Sequence, residues 1–157
     1  MDIEEFTHVE LRRKIRVVTQ YHFIFNESLE MNLRVAKPDT NNEEIIHALN
    51  QAHLGEFLNC LPNGLGEVMD PRGKGISEGE KQRICIARLL LRNSPIMVLD
   101  ELWSNLDDEA RGVLAEVINT LKPTTTILIL AHEDLPSLAV DQVYNLVSDN
   151  GSFVREE

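Results

Sequence analysis

Two apolar runs in this chain end in groups that could do chemistry. Ile96-Met97-Val98-Leu99 is followed by Asp100 and Glu101, and Thr126-Ile127-Leu128-Ile129-Leu130-Ala131 is followed by His132. Uninterrupted apolar runs of this length read as parallel strands buried on both faces. Open α/β sheets bind ligands just beyond the carboxyl ends of such strands. One carboxylate of an adjacent pair can hold Mg²⁺ there, usually through water, because that hard cation takes oxygen ligands. The other can orient or deprotonate an attacking water. A His at a strand end near phosphate can donate a hydrogen bond to the transferring group. Taken singly, Asp-Glu also fits a loop leading into a helix cap, and the His fits an ordinary loop. Two strand ends with complementary groups favour the chemical reading.

Two more positions extend the set. Ser77 followed three residues later by Glu80 is a capping box, so a helix starts there. A helix start offers free N–H donors and the positive end of the dipole, which suits an anion such as phosphate. It equally fits a well-capped helix and nothing more. Gln20 follows the β-branched run Ile15-Arg16-Val17-Val18-Thr19, and a neutral amide at that strand end could coordinate an ion or a water.

The elements that would position these groups alternate. A strand is expected at 15–19, a short helix at 27–33 and a helix at 43–54 with Ile45, Ile46, Leu49, Ala52 and His53 at helical spacing. Gly55 breaks that helix, and 56–61 forms another turn or two. Residues 62–75 hold four glycines and two prolines and read as loop. A helix follows at 78–92, then the strand 96–99, a helix at 107–121 and the strand 126–131. Residues 135–139 read as a helical turn. Residues 143–147 and 152–155 read as a hairpin turned at Asp149-Asn150-Gly151. Strands alternating with helices give an α/β fold with a parallel sheet. Residues 21–92 contain no convincing strand and read as a helical insert. The division is therefore 1–20 and 93–157 as an α/β core and 21–92 as a helical subdomain, within one domain overall.

Bulk composition narrows the function. With 26 acidic and 15 basic residues the net charge is −11, which argues against a nucleic-acid surface. The cluster Arg12, Arg13, Lys14 and Arg16 reads as a solvated helix end. No run of about 18 apolar residues crosses a membrane, and the acidic start MDIEEFTHVE is no signal peptide. Cys60 and Cys85, far apart in apolar patterns, read as buried free thiols of a reducing compartment. The expectation is a cytoplasmic protein that reaches a membrane only through a partner. His22, His47 and His53 have no metal-ligand spacing, and Trp103 fits core, surface or interface equally.

Taken together the positions resemble the nucleotide-binding domain of an ATP-binding cassette (ABC) transporter. The likeness runs from about residue 2 to 155 and is closest to the exporter subfamily, through LRRKIRVVTQYHFIFNESLEMNL. The motifs stand in family order: a glutamine loop at Gln20, a helical subdomain, a signature at 76–80, a Walker B strand at 96–101, a D-loop at 104–107 and a switch histidine at 132. The resemblance implies a partial P-loop NTPase sheet with a helical signature subdomain, and ATP and Mg²⁺ as cofactors. It implies that Asp100 holds Mg²⁺, that Glu101 polarises the hydrolytic water and that His132 contacts the γ-phosphate. Gln20 would sense Mg²⁺ and the γ-phosphate. Ser77 and Gly79 would contact ATP held by an opposite subunit, and Asp107 would work across that interface. The implied partners are transmembrane domains and a second cassette, at the cytoplasmic face of a membrane.

Three departures qualify the likeness. No G-x-x-x-x-G-K-[ST] phosphate loop occurs in the 157 residues, so no tight independent ATP binding is expected and a segment carrying that loop becomes an implied partner. The signature reads ISEGE where the family has LSGGQ. Glu78 and Glu80 suit the helix dipole, but a like-charge pair about 4 Å apart costs roughly 4 kcal/mol at an effective dielectric of 20. Side-chain direction therefore decides whether the signature can face a phosphate. Third, MDPRGKG carries Pro71 where exporters have a glutamate, and Glu133 replaces a basic residue after the switch histidine. Two functions remain: the C-terminal part of an ABC transporter ATPase, not autonomous, or a non-catalytic module that docks on a complete cassette. In the family the phosphate-loop strand lies beside the strand ending at His132, so the resemblance implies an open apolar edge or a gap, and the isolated chain is expected to be marginally stable, to dimerise or to need a partner.

Overall fold

The computed structural model describes residues 5–19, 23–70, 75–92, 94–104, 106–132, 135, 138–146 and 153–154. Helix α1 (His8–Lys14) starts in a capping box between Thr7 and Glu10 and leads into strand β1 (Ile15–Thr19). Among the described residues, four α-helices and a 3-10 turn (Gly64–Gly66) follow before the next strand: α2 (Leu29–Arg34), α3 (Asn42–Gln51), α4 (Gly55–Cys60) and α5 (Glu78–Leu91). Then come β2 (Ile96–Asp100), α6 (Asp108–Leu121) and β3 (Thr126–Leu130). A two-residue ladder pairs β4 (Asn145–Leu146) antiparallel with β5 (Phe153–Val154); the expected turn at 149–151 lies outside the described residues.

Strands β1, β2 and β3 form one parallel sheet in that order. Thr19, Asp100 and Leu130 stand side by side at its carboxyl edge. The sheet therefore brings the carboxyl ends of all three strands, and the residues after 100 and 130, to one rim, as the alternation of strands and helices requires.

The core lies on one face of this sheet. Met97 and Leu99 point into it and are almost fully buried, with Val18, Ile127 and Ile129 packed alongside. Above them lie Ile84, Ile86, Ala87 and Leu89 of α5 and Val113, Leu114, Val117 and Ile118 of α6. Burying a side chain of this size contributes about 2 kcal/mol. Ile45, Ala48 and Leu49 of α3 continue the same core into the helical region.

Two expectations about burial are corrected. Neither β2 nor β3 is buried on both faces. Their alternate residues, with those of β1, present Val17, Ile96, Leu128 and Leu130 to solvent, and Val17 and Leu128 are 54% and 50% exposed. Helices cover one face only among the described residues, whereas an all-apolar run signals a strand meant for two covers. Cys60 is exposed at the end of α4, which buries none of its residues, and Cys85 is only partly buried on α5; both are free thiols.

Smaller differences have local causes. Helix α3 ends at Gln51, since His53 takes φ 55°; that turn leaves His53 half-exposed with its Nε2 3.2 Å from Glu116, and Ile46 also faces outward. Arg16 lies in β1 on the helix-covered side and is not part of the solvated end of α1; its Nε is buried without a partner. Trp103 is a core residue, 5% exposed. No helix of the described residues is long and apolar enough to cross a membrane.

Candidate active site

The sheet rim brings Glu101 and His132 together. Asp100 closes β2, half-buried, and the backbone turns sharply at Glu101, which takes φ 50°. A non-glycine residue in the left-handed region is held there by its surroundings. Here the Glu101 N–H donates to the Leu130 carbonyl at 3.0 Å, and the Ser104 hydroxyl donates to the Glu101 carbonyl at 3.0 Å. The turn aims the carboxylate across to the end of β3, where Glu101 Oε1 lies 3.8 Å from His132 Nδ1. Both side chains stay largely solvent-accessible. A shallow dent lined by Glu101, Trp103, Ser104, Ala131 and His132 lies between them. Such a carboxylate can take a proton from water while the imidazole donates to an oxyanion on the same rim.

A second group forms where α5 and α6 begin. Ser77 caps α5: its Oγ accepts from the Glu80 N–H at 3.2 Å, while Glu80 Oε2 accepts from the Ser77 N–H at 2.6 Å and from its hydroxyl at 2.8 Å. Glu80 thus turns back onto the helix start. Glu78 pairs with Lys81 at 3.1 Å, so its charge is partly met along its own helix. Asp107 caps α6, with Oδ1 accepting from the Ala110 N–H at 2.8 Å. Gly79 packs against it so closely that a β-carbon there would stand 3.0 Å from Asp107 Oδ2.

Sequence reasoning missed the residue that ties the two starts together. Gln82 is 6% exposed, and its Oε1 accepts from the Asp107 N–H at 3.3 Å. A polar side chain one turn inside a helix, on a side that buries Ile86 and Leu89, was the available signal. Gln20 follows β1 directly but lies outside the described residues, as do Pro71 and Glu133. The structure thus assembles Glu101 with His132 and Gly79 with Asp107. Asp100 sits at the rim with the first pair, and Ser77 at the helix start with the second.

The chain belongs to the ABC transporter family, whose sequence model matches residues 1–104. It is 39% identical over 133 residues to an ATP-dependent lipid A-core flippase of Nitrosococcus oceani, a match covering 84% of this chain and 22% of that protein. A flippase of the same description from Syntrophus aciditrophicus is 37% identical over 155 residues, 99% of this chain and 26% of the relative. A putative multidrug export ATP-binding/permease protein of Bacillus subtilis is 35% identical over 153 residues, 98% of this chain and 26% of that protein. Among solved structures, a bacterial Atm1-family ABC exporter with ATP bound superposes with a TM-score of 0.72 at 29% identity, covering 85% of this chain and 23% of that one. The chain spans about a quarter of the length of the curated relatives it matches. The α/β fold with a parallel sheet and helical insert is that of an ABC exporter's nucleotide-binding domain.

Proposed function

We propose that this chain supplies part of a composite MgATP-hydrolysing site in an ABC exporter. One observation carries the reading: Glu101 and His132, just past the ends of the adjacent parallel strands β2 and β3, converge to 3.8 Å at the sheet rim, with Glu101 held at φ 50°. In this reading Asp100 and Gln20 hold Mg²⁺ and its waters, which neutralise charge on the phosphates. Glu101 polarises the attacking water, and His132 donates to the γ-phosphate. Asp100 offers a carboxylate at the end of β2, an oxygen donor that suits a hard cation.

Ser77 and Gly79 contact ATP held on an opposite cassette, and Asp107 works across that interface. Residues 1–20 and 93–157 act as the ATPase core and 21–92 as the signature subdomain. A segment carrying the phosphate loop and a pair of transmembrane domains complete the assembly, which places the chain at the cytoplasmic face of a membrane. Names that join ATP-binding to permease among the relatives support that partnership.

The test is MgATP hydrolysis by the chain assembled with those partners. Glu101→Gln should abolish turnover, by roughly a hundredfold or more, while ATP still binds. Undiminished hydrolysis would overturn the assignment. An assembly that associates with ATP but never hydrolyses it would favour the alternative, a regulatory module docked on a complete cassette.

A further inference from the structure

Arg88 lies on α5 about three turns after Ser77 and makes contacts the proposed chemistry does not use. Its Nε donates to the Asn32 carbonyl at 2.8 Å, Nη2 to Asn32 Oδ1 at 2.9 Å and Nη1 to the Phe23 carbonyl at 2.6 Å. The guanidinium also stands 5.8 Å from the centre of the Phe25 ring. Asn32 is fully buried and extends the network. Its Oδ1 accepts from the Phe25 N–H at 2.8 Å, and its Nδ2 reaches the carbonyls of Phe25, Glu27 and Ser28. Glu27 and Leu29 are in turn stitched to Met69 and Glu67, on the loop that precedes Ser77.

These bonds join two chain segments that stand 56 and more residues apart. One begins three residues after Gln20; the other is the helix that begins at Ser77. Among the described residues no carboxylate pairs with Arg88, so its charge is spent on carbonyls, an amide oxygen, a thiol and a ring. Burial pulls its pKa down, a cost that a neutral residue would not carry. Only a fork of several donors reaches the Phe23 and Asn32 oxygens at once.

We propose that Arg88 is a positioning residue, clamping the segment that follows Gln20 to the signature helix so that the two move as one body. The functional half rests on the reading that Gln20, Ser77 and Gly79 act on nucleotide. A phosphate that pulls on the start of α5 then carries residues 23–32 with it, and with them the chain leaving Gln20. Signature engagement and the placement of Gln20 become a single event.

Hydrogen exchange on the 157-residue chain tests the clamp without nucleotide. In Arg88→Lys, which keeps the charge and stem but loses the fork, exchange at the Phe25, Glu27 and Asn32 amides should rise about tenfold or more, while β2 and α6 keep their protection. Arg88→Met should do the same; if that variant unfolds, the lysine variant decides. Unchanged exchange at 23–32 overturns the clamp, and so does an increase spread evenly over the chain. In the assembled transporter, Arg88→Lys should lower kcat for MgATP about tenfold and leave KM within about twofold. An unchanged kcat overturns the coupling. Absence of hydrolysis by the unsubstituted assembly instead overturns the functional reading, and the exchange result still decides the clamp.

Discussion

Asp107 Oδ2 stands 3.0 Å from the position a β-carbon would take at Gly79, while Oδ1 of the same carboxylate caps α6. One side chain therefore sits at the starts of two helices, each with unpaired N–H groups and the positive end of a dipole. The glycine is required by this approach rather than by its backbone angle. Gly79→Ala makes Asp107 Oδ2 give way by a few tenths of an ångström, a strain on the α6 cap that should cancel the gain alanine otherwise brings to a helix. Gly112, inside α6 with nothing within 4 Å of its would-be β-carbon, is the control. Gly112→Ala should add roughly 0.5–1 kcal/mol from helix propensity and reduced unfolded-state entropy. Urea unfolding followed through the single Trp103, buried in the core, measures both, and equal shifts would refute the contact.

Glu101 makes a different demand on the backbone. Its φ of 50° costs a non-glycine residue about 1 kcal/mol, and glycine would not bear that cost. Glu101→Gly should therefore raise the stability of the chain while removing the proposed water-polarising group. Glu101→Gln should remove the activity and leave stability unchanged. Denaturation midpoints for the two variants, set beside MgATP turnover in the assembled transporter, check the split. A glycine variant no more stable than the glutamine one would show that the turn stores no strain.

Much of this was written plainly in the sequence, and the reasons differ by element. The Ser77–Glu80 spacing marks a helix start because a capping box is local chemistry, and the box that Asn41 and Glu44 form at the start of α3, which the sequence reading passed over, is of the same kind. The order of strand-end groups fixed the rim because a parallel sheet sends its carboxyl ends the same way. Burial was less legible. The run at 126–130 is apolar on both sides, but whether each side finds a cover depends on what packs against it, and that is not encoded in the run. Gln82 and Arg88 were missed because their partners, Asp107, Asn32 and Phe23, are distant along the chain. The direction of Glu80 was left open by composition and settled by its bonds to Ser77.

The uncovered sheet face should govern solution behaviour. Val17, Val98 and Leu128 stand in register across the three strands, with Ile96 and Leu130 beside them. Contiguous apolar surface of this kind drives association. The isolated chain should sediment as dimers or larger species at micromolar concentration. Val17→Thr with Leu128→Thr, changes on the solvent side of β1 and β3, should shift it toward monomer with less than about 1 kcal/mol lost in stability. A monomer in the unsubstituted chain, by sedimentation velocity, would contradict this.

Acid should weaken the helical region through Glu44. Hydrogen bonds from the Lys37 ammonium at 2.7 Å and the Thr40 hydroxyl at 2.7 Å, with the Asn41 N–H, hold its carboxyl at about 2, below the usual 4.5. A carboxyl depressed in the folded state stabilises it at pH above the unfolded value. That contribution is complete above pH 4.5 and fades as pH falls toward about 2. Glu44→Gln should be less stable than the parent near neutrality, and the gap should close across that window. A gap that stays constant with pH, measured by urea midpoints, would remove Glu44 from the acid response.

Glu80 makes the sharpest prediction about the signature. Its carboxylate accepts both the N–H and the hydroxyl of Ser77, the donors that a phosphate from an opposite subunit would use. An incoming phosphate must therefore displace a like charge from the start of α5. Glu80→Gln keeps an acceptor at the third helical position, so the capping box and the helix should survive. It removes the charge, and one unit charge at this distance and partial exposure is worth about a tenfold change in affinity, well below the low-dielectric limit. ATP-dependent association of the chain with a complete ABC nucleotide-binding subunit should tighten by about that factor in Glu80→Gln. Glu78→Gln should change it less, because Lys81 already meets the Glu78 charge. If the two substitutions act equally, or Glu80→Gln weakens association, the folded-back carboxylate is a cap alone and does not compete with nucleotide.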